Sequence, residues 1–238
     1  MKKNKVKLVG ILCGLLLSGC SPIFYMPTMH HVPLLAAKGE MAASVSSSSY
    51  TGNSSTTGGI TNVAAAYAIT DNIALTAAGT WSNVSDNHAF LAEGGAGYFT
   101  PVLKNNHIIA EVYGLVGTGK VFVVPEPQLM RAYIQPAIGF RHRFFEYAFS
   151  SRLTFLHASL PSEFRNINTG PVYYNFGVHH GSYTFFEPAA TLRLGYKGIK
   201  AQLQTAWVFQ LNNHKRQISH DNLSINLGLA FALPFNSR

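Results

Sequence analysis

In several stretches of the sequence the charged side chains share one parity, and bulky apolar residues occupy the other. In the stretch from 129 to 145, Arg131, Arg141 and Arg143 share one parity, whereas Ile138 and Phe140 share the other. Arginine and glutamate on one face of neighbouring strands can form ion pairs, and charges removed from water need such partners. We therefore predict a salt-bridged network inside the protein. Its members are Glu93, Glu111, Arg131, Arg141, Arg143, Arg152, Glu187, Arg193 and Lys200.

Histidines form a second group with possible chemistry. They fall in or beside predicted loops: His88, His179, His180, His214 and His220, with Asp86 and Asp221 near two of them. An imidazole beside a carboxylate can act as a general base, and adjacent histidines can bind a metal ion. Paired loop histidines are more often simply solvated. We therefore predict no catalytic residue, no metal site and no cofactor, and keep a hydrolase site at the loop rim as the alternative.

Cys20 is the third candidate. Four lysines, at positions 2, 3, 5 and 7, precede the apolar run from Leu8 to Leu17, as in a secretion signal. The following Leu17-Ser18-Gly19-Cys20 resembles the lipobox of bacterial lipoproteins. That resemblance implies a diacylglycerol thioether on Cys20, cleavage before it and N-acylation of the new amine, with no other cofactor. Cys13 lies within the signal, so the mature chain could form no disulfide within itself. Removing the four signal lysines lowers the formal charge from +8 to +4.

Composition favours a membrane protein. The chain has 238 residues, 47% hydrophobic but only 12% charged, against about 25% charged in soluble domains. No apolar run long enough for a helical span follows the signal. Because only helices and closed barrels satisfy the backbone in lipid, the composition predicts an all-β, up-and-down transmembrane barrel behind an N-terminal signal helix.

Strand patterns agree with that prediction. Residues 59–82 form two alternating runs around the Asp71-Asn72 turn, a β-hairpin signal. We predict about ten antiparallel strands, with eight as the alternative: Glu40–Tyr50, Ile60–Thr70, Ile73–Ser82, Ala89–Phe99, His107–Thr118, Leu129–Phe145, Tyr147–Leu160, Tyr183–Tyr196, Ile199–Leu211 and Asn222–Leu233. An arginine facing mid-bilayer lipid costs about 2–4 kcal/mol, so we assign the charged parity to the lumen.

Connections alternate between short turns and longer polar loops, as in outer-membrane barrels with short periplasmic turns. An even strand count places both ends of the barrel on the periplasmic side, where we expect the lipid anchor. Pro136 and Pro188 fall inside strands, and we predict a bulge at each.

Residues 21–38 contain three prolines and no clean period, which predicts an extended tether between lipid and barrel. Tyr25-x-Pro27 and the segment Pro33-Leu34-Leu35-x-x-Lys38-Gly39-Glu40, soon after a lipobox, resemble a group of uncharacterised outer-membrane barrel lipoproteins from Bacteroidetes-type bacteria. The resemblance implies no activity. The predicted organisation is a signal peptide at 1–19, an acylated tether at 20–38 and a barrel at 39–238.

The expected function is non-enzymatic, either structural or surface-binding through the outer loops. The aromatic-rich loop from Pro161 to Ser182 suits contact with carbohydrate or protein, or a self-packed lid. Expected partners are outer-membrane lipid, the barrel-assembly machinery, and a lipopolysaccharide, glycan or surface protein, but no nucleic acid. The alternatives are a rim-site hydrolase, similar to omptins in strand number and residue type alone, and a narrow channel.

Overall fold

The computed structural model describes residue 25 and residues 27–51, 57–84, 87–103, 107–122, 127–159, 181–196, 198–212 and 222–233. The predicted signal helix and the long loop from Pro161 lie outside these residues. The strands are β1 (Met41–Thr51), β2 (Thr57–Ala68), β3 (Ile73–Val84), β4 (Asn87–Pro101), β5 (Ile108–Phe122), β6 (Gln128–Arg141), β7 (Phe145–Ser159), β8 (Gly181–Tyr196), β9 (Ile199–Trp207), β10 (Phe209–Gln210) and β11 (Leu223–Leu233). Within the described residues no helix is long and apolar enough to cross a membrane.

The strands close into one antiparallel barrel. Each strand from β1 to β8 pairs with the next, β8 pairs with β9 and β10, β9 pairs with β11, and β11 returns to β1. Since β9 and β10 follow one line, separated only by Val208, the wall has ten positions. The predicted ten-stranded barrel is confirmed, and the eight-stranded alternative is wrong.

Alternation of side chains explains why this sequence forms a two-faced wall. In β1, Ala42, Ser44, Ser46 and Ser48 point inward and are buried, while Val45 and Ser47 between them point outward and are exposed. The inward residues of β2 and β3 are also mostly small. A one-residue slip would turn every side chain to the other face, so the burial of one face fixes the register. Small side chains on this part of the wall leave the lumen wide enough for another segment.

The two strand prolines do not form bulges, so that prediction is wrong. Between β6 and β7, Ile134 pairs with Leu153 and Ala137 with Ser150, three residues further on in each strand. Equal spacing on both strands means that no extra residue is inserted, whereas a bulge requires one. The ladder between β8 and β9/β10 likewise resumes in the same register after Pro188. Each proline therefore omits part of one ladder without an inserted residue.

Two predicted connections also differ from the structure. The turn between β6 and β7 occupies 142–144, and Glu146, predicted as the turn, lies in β7 and faces inward. The predicted long loop at 83–88 is short, because β3 continues to Val84, which pairs with Asn87. The other connections at that end, hereafter the long-loop end, include 52–56 and 160–180. The opposite end, with turns such as 69–72 and 142–144, is hereafter the short-turn end.

Residues 27–36, hereafter the plug segment, run through the lumen. Nine of the ten, from 27 to 35, are buried. The chain then turns at Gly39 (φ +83°) and enters β1 at the short-turn end. The prediction of a tether lying between the lipid and the barrel is therefore wrong for this segment. It is extended, but it is packed inside the wall.

Candidate functional site

Eight of the nine predicted network residues point into the lumen. The seven that are buried and the half-buried Arg141 come from β4 to β9. Arg143 does not belong to the network. It is exposed in the turn after β6, where its guanidinium donates to the Tyr196 hydroxyl and stacks on that ring 4.7 Å from the centroid. Strand β6 ends at Arg141, so the inward–outward alternation of side chains does not continue to Arg143.

Arg131 and Glu93 form the ion pair nearest the long-loop end. The Arg131 Nε and Nη2 atoms donate to the two Glu93 carboxylate oxygens at 2.6 and 2.5 Å. Both side chains are almost completely buried. Nη2 of Arg131 also donates to the Thr28 hydroxyl of the plug segment at 2.7 Å. The wall pair is thus joined to the segment inside it.

Arg152 of β7 joins the wall to the plug segment through its whole guanidinium group. Nη1 donates to the Thr28 hydroxyl at 2.9 Å, and Nη2 donates to the Met29 carbonyl at 3.1 Å. Nε and Nη2 also donate to the Gln135 side-chain oxygen at 3.2 and 2.8 Å. The guanidinium lies 4.3 Å from the centre of the Tyr133 ring. Because the fork uses several donors at once, it fixes the position of the plug backbone.

Glu187 is the acidic centre of the same cluster. Its Oε1 accepts from the Tyr25 hydroxyl at 2.6 Å and from the Thr154 hydroxyl at 2.5 Å. Its Oε2 lies 3.6 Å from Arg152 Nη1 and 3.9 Å from His30 Nε2. All of these groups are buried. The carboxylate therefore holds residues on both sides of Thr28 against β7 and β8.

A second ion-pair cluster lies towards the short-turn end. Glu146 accepts from Arg193 at 3.1 Å and from Lys200 at 2.6 Å. Arg193 also donates to the Gln202 oxygen at 2.7 Å. Nearby, Arg141 pairs with Glu40 at 2.8 Å. Sequence reasoning missed Glu146 and Glu40, although Glu146 has the parity of Arg152, which could have identified it.

The backbone of the plug segment is bonded to lumen side chains instead of to a neighbouring strand. Gln204 accepts from the His30 N–H at 2.7 Å and donates to the His30 carbonyl at 2.9 Å. Gln135 donates to the His31 carbonyl at 2.7 Å. Glu111 accepts from the Leu34 N–H at 3.1 Å, and Arg141 donates to the Leu34 carbonyl at 3.2 Å. Buried backbone groups need partners, and here the wall side chains supply them.

Apolar packing holds both ends of the segment. Tyr25 stacks on Phe185 at 4.2 Å within a buried cluster that includes Leu156 and Tyr183. Leu34 and Leu35 pack against residues near the short turns, including Phe99. Small cavities lie at the two mouths, about 50 Å³ beside Tyr25 and about 20 Å³ beside Glu40. The middle of the lumen is filled by the plug segment and the side chains around it.

The histidines with predicted chemical potential are mostly outside the described residues, as are Asp86 and Asp221. His88 is described and exposed at the start of β4, 6.4 Å from the Trp81 ring. Within the described ranges no group of three or more His, Cys, Asp or Glu residues could hold a metal ion. His30 and His31, which sequence reasoning left inside a tether, are buried instead. Their Nδ1 atoms lie 2.8 and 3.2 Å from the hydroxyls of Ser150 and Ser44.

The exterior of the wall is apolar along its middle. Its exposed side chains include Val116 (67%), Phe149 (63%) and Leu227 (62%). In the described part of the chain, charged residues outside the lumen occur only near the two ends of the wall, and they are Lys38, Asp71, Lys120 and Arg143. Aromatic side chains concentrate at both ends. Trp81 lies 6.2 Å from Phe90 at the long-loop end, and Phe140 stacks on Tyr147 at 5.4 Å at the other.

Outer-membrane barrels have an apolar band bordered by aromatic girdles at both ends. The fold, with this exterior, is that of an outer-membrane β-barrel.

No family model and no curated protein matches the chain. Solved outer-membrane barrels resemble it in structure. LpxR from Salmonella typhimurium has a TM-score of 0.45 and 8% identity, covering 81% of this chain and 99% of its own. The N-terminal β-barrel domain of Pseudomonas aeruginosa OprF has a TM-score of 0.38 and 11% identity, covering 83% of this chain and 99% of its own. The architecture described above rests on this chain's own strand pairings.

Proposed function

We propose that the protein is an acylated lipoprotein of the outer membrane whose barrel is a sealed, non-enzymatic scaffold that presents its long loops at the cell surface. The observation that carries the proposal is the plug segment, bonded to wall side chains along its length. A barrel that fills its own lumen leaves the loops at its mouth as the surface for recognition.

The exterior supports the proposed location. In the described residues the outward-facing middle of the wall has no charged side chain, and aromatic residues lie at both borders. Water would solvate so large an apolar surface poorly, whereas hydrocarbon does not penalise it. The lipobox-like Leu17-Ser18-Gly19-Cys20 supports acylation of Cys20 as part of this proposal. Several chains together give firm attachment, at about 0.8 kcal/mol per buried methylene.

The plug segment argues against a channel. A ten-stranded barrel has a narrow interior that side chains largely fill, and here a backbone segment with its ion-paired partners occupies the remainder. Moving it would leave Arg152 and Glu187 without several of their partners. Breaking such buried charge clusters is strongly unfavourable.

Planar-bilayer recording with the purified, acylated protein tests the sealed scaffold. We expect no stable conductance steps, and reproducible large steps in the wild-type protein would contradict the proposal. A peptidase and lipid-hydrolase screen on the same preparation, with His220→Ala as the matched variant, tests the rim-hydrolase alternative. We expect no activity that the substitution abolishes.

The proposed surface role concerns loop residues outside the described part of the chain. Suitable partners are a lipopolysaccharide, another glycan or a surface protein. Crosslinking on intact cells, followed by isolation of the barrel, would identify them. A variant with residues 161–180 replaced by a short glycine-serine linker is the control, and we expect it to lose the crosslinked partner while the barrel still assembles.

A further inference from the structure

The plug segment has a direction through the barrel, and its contacts define that direction step by step. Thr28 contacts Arg131, three residues after the long-loop end of β6. His30 contacts Ser150 near the middle of β7. Leu34 contacts Glu111, near the short-turn end of β5. The chain therefore travels from the long-loop end to the short-turn end before β1 begins.

Tyr25 lies at the long-loop end of this path. Its ring stacks on Phe185, and its cluster includes Leu156 and Ala158, which lie just before the 160–180 connection. At the other end of the path, the Lys38 N–H donates to Asp71 in a short turn at 3.0 Å. The even strand count places the start of β1 and the end of β11 at the short-turn end. Tyr25, two residues before the plug segment, nevertheless lies at the opposite end.

The distance along the chain from Tyr25 to Cys20 limits where the acylated sulfur can lie. Five residues span at most about 17 Å when fully extended. Phe185, on which Tyr25 stacks, lies eleven residues from Tyr196 at the short-turn end of β8, which projects to about 28 Å along the barrel axis at about 3.3 Å per residue and a tilt of about 40°. Five residues cannot cover that distance back to the short-turn end. Their direct route through the lumen is also occupied by the plug segment itself.

We propose that Cys20 emerges at the long-loop mouth, so that its acyl chains enter the outer leaflet and anchor the protein from the cell-surface side. This inference rests on the proposed function, since the long loops of an outer-membrane barrel face outward. It replaces the expectation of an anchor on the periplasmic side. With the plug segment in the lumen, the five residues between Tyr25 and Cys20 are too short to bring the acyl chains to the inner leaflet.

Cysteine labelling on intact cells tests the inference, because acylation leaves the mature chain with no other thiol. Three single substitutions are compared: Ile23→Cys between the anchor and Tyr25, Ser55→Cys in the 52–56 connection, and Leu103→Cys in a short turn. We expect a membrane-impermeant maleimide to label Ile23→Cys to at least half the extent of Ser55→Cys on intact cells. Leu103→Cys should react only after the outer membrane is permeabilised.

The controls separate failure of this inference from failure of the proposed function. Heat-modifiable migration in gels shows that each variant has a folded barrel, and incorporation of an alkyne fatty acid reports acylation of Cys20. If Ile23→Cys does not react on intact cells while Ser55→Cys does, the outward anchor is wrong and the barrel orientation stands. If Leu103→Cys reacts on intact cells in place of Ser55→Cys, the orientation is wrong, and the proposed function fails with the inference.

Discussion

At the scale of single residues, Arg152 connects the wall to the plug segment. It donates to the Met29 carbonyl, to the Thr28 hydroxyl and to Gln135, and it lies 3.6 Å from the Glu187 carboxylate. A buried guanidinium is costly to remove from water unless its donors are satisfied. Here they are satisfied partly by backbone carbonyls of a segment more than 100 residues away in sequence.

Replacing Arg152 by methionine should reduce the free energy of unfolding by about 3–5 kcal/mol, because Glu187 would remain buried without its nearest guanidinium. Urea-induced unfolding in lipid vesicles, followed by tryptophan fluorescence, measures the change. Arg143→Met is the matched control at an exposed site and should change the value by less than about 1 kcal/mol. Equal effects of the two substitutions would contradict the role given to Arg152.

Glycine at 139 makes room for Leu34 of the plug segment beside β6. A Cβ atom there would lie 2.6 Å from Leu34 Cδ2 and 2.9 Å from the Ala148 Cβ. We expect Gly139→Ala to destabilise the folded barrel by about 1–3 kcal/mol, as overpacking does. Gly114→Ala is the control, since nothing lies within 4 Å of its added Cβ. The same unfolding assay compares them, and a neutral Gly139→Ala would show that the plug segment is not tightly packed there.

At the scale of elements, the plug segment behaves as an inner strand without a strand partner. Long side chains of the wall, above all Gln204 and Gln135, bond its N–H and carbonyl groups where a neighbouring backbone would do so in a sheet. Leu34 adopts φ +51°, an unusual backbone conformation for a bulky residue. Its N–H and carbonyl thereby reach Glu111 and Arg141.

Deleting residues 27–36 should open the lumen. The inward residues of β1 and β2 are small, so the remaining wall would enclose a polar, water-filled space. In planar bilayers we expect stable conductance steps from the deletion variant and none from the wild-type protein. A variant in which a short glycine-serine linker replaces residues 161–180, with the plug segment retained, is the control and should remain silent. Steps from that control would assign the seal to the loop instead.

At the scale of the whole molecule, the two faces of the barrel wall differ in polarity. Ion pairs and amide side chains lie on the inside, and apolar side chains cover the outside, with aromatic residues concentrated at both ends. This arrangement is the reverse of a soluble barrel, which buries its apolar face. The stability of the fold therefore depends on contact between this apolar face and the surrounding hydrocarbon.

An exterior arginine should reveal the bilayer position directly. Leu227 is 62% exposed in the middle of β11, whereas Leu233, 41% exposed, ends the same strand. Leu227→Arg should cost about 2–4 kcal/mol in vesicles, and Leu233→Arg about 0–1 kcal/mol, because the penalty falls towards the interface. Reversible unfolding in vesicles measures both. Equal costs at the two positions would contradict a bilayer centred on the wall.

The sequence alone was sufficient for the wall. Alternation marks each strand locally, since every second residue faces the same way, and the low fraction of charged residues separates a membrane barrel from a soluble one. The predicted strands therefore match the observed ones to within three residues at most ends, whereas the ends of β5 and β6 each differ by four. Prolines at 136 and 188 misled the prediction because a skipped ladder bond needs no extra residue, which sequence cannot distinguish from a bulge.

Only the tertiary structure decided what fills the barrel. Residues 27–36 have no periodicity, because each backbone group bonds a different side chain from a different strand, and nothing local encodes such partners. The even strand count fixed the end at which β1 starts, but it could not fix the path of the chain before β1. That path depends on contacts such as Met29 with Arg152 and Leu34 with Glu111, which exist only after the wall has closed.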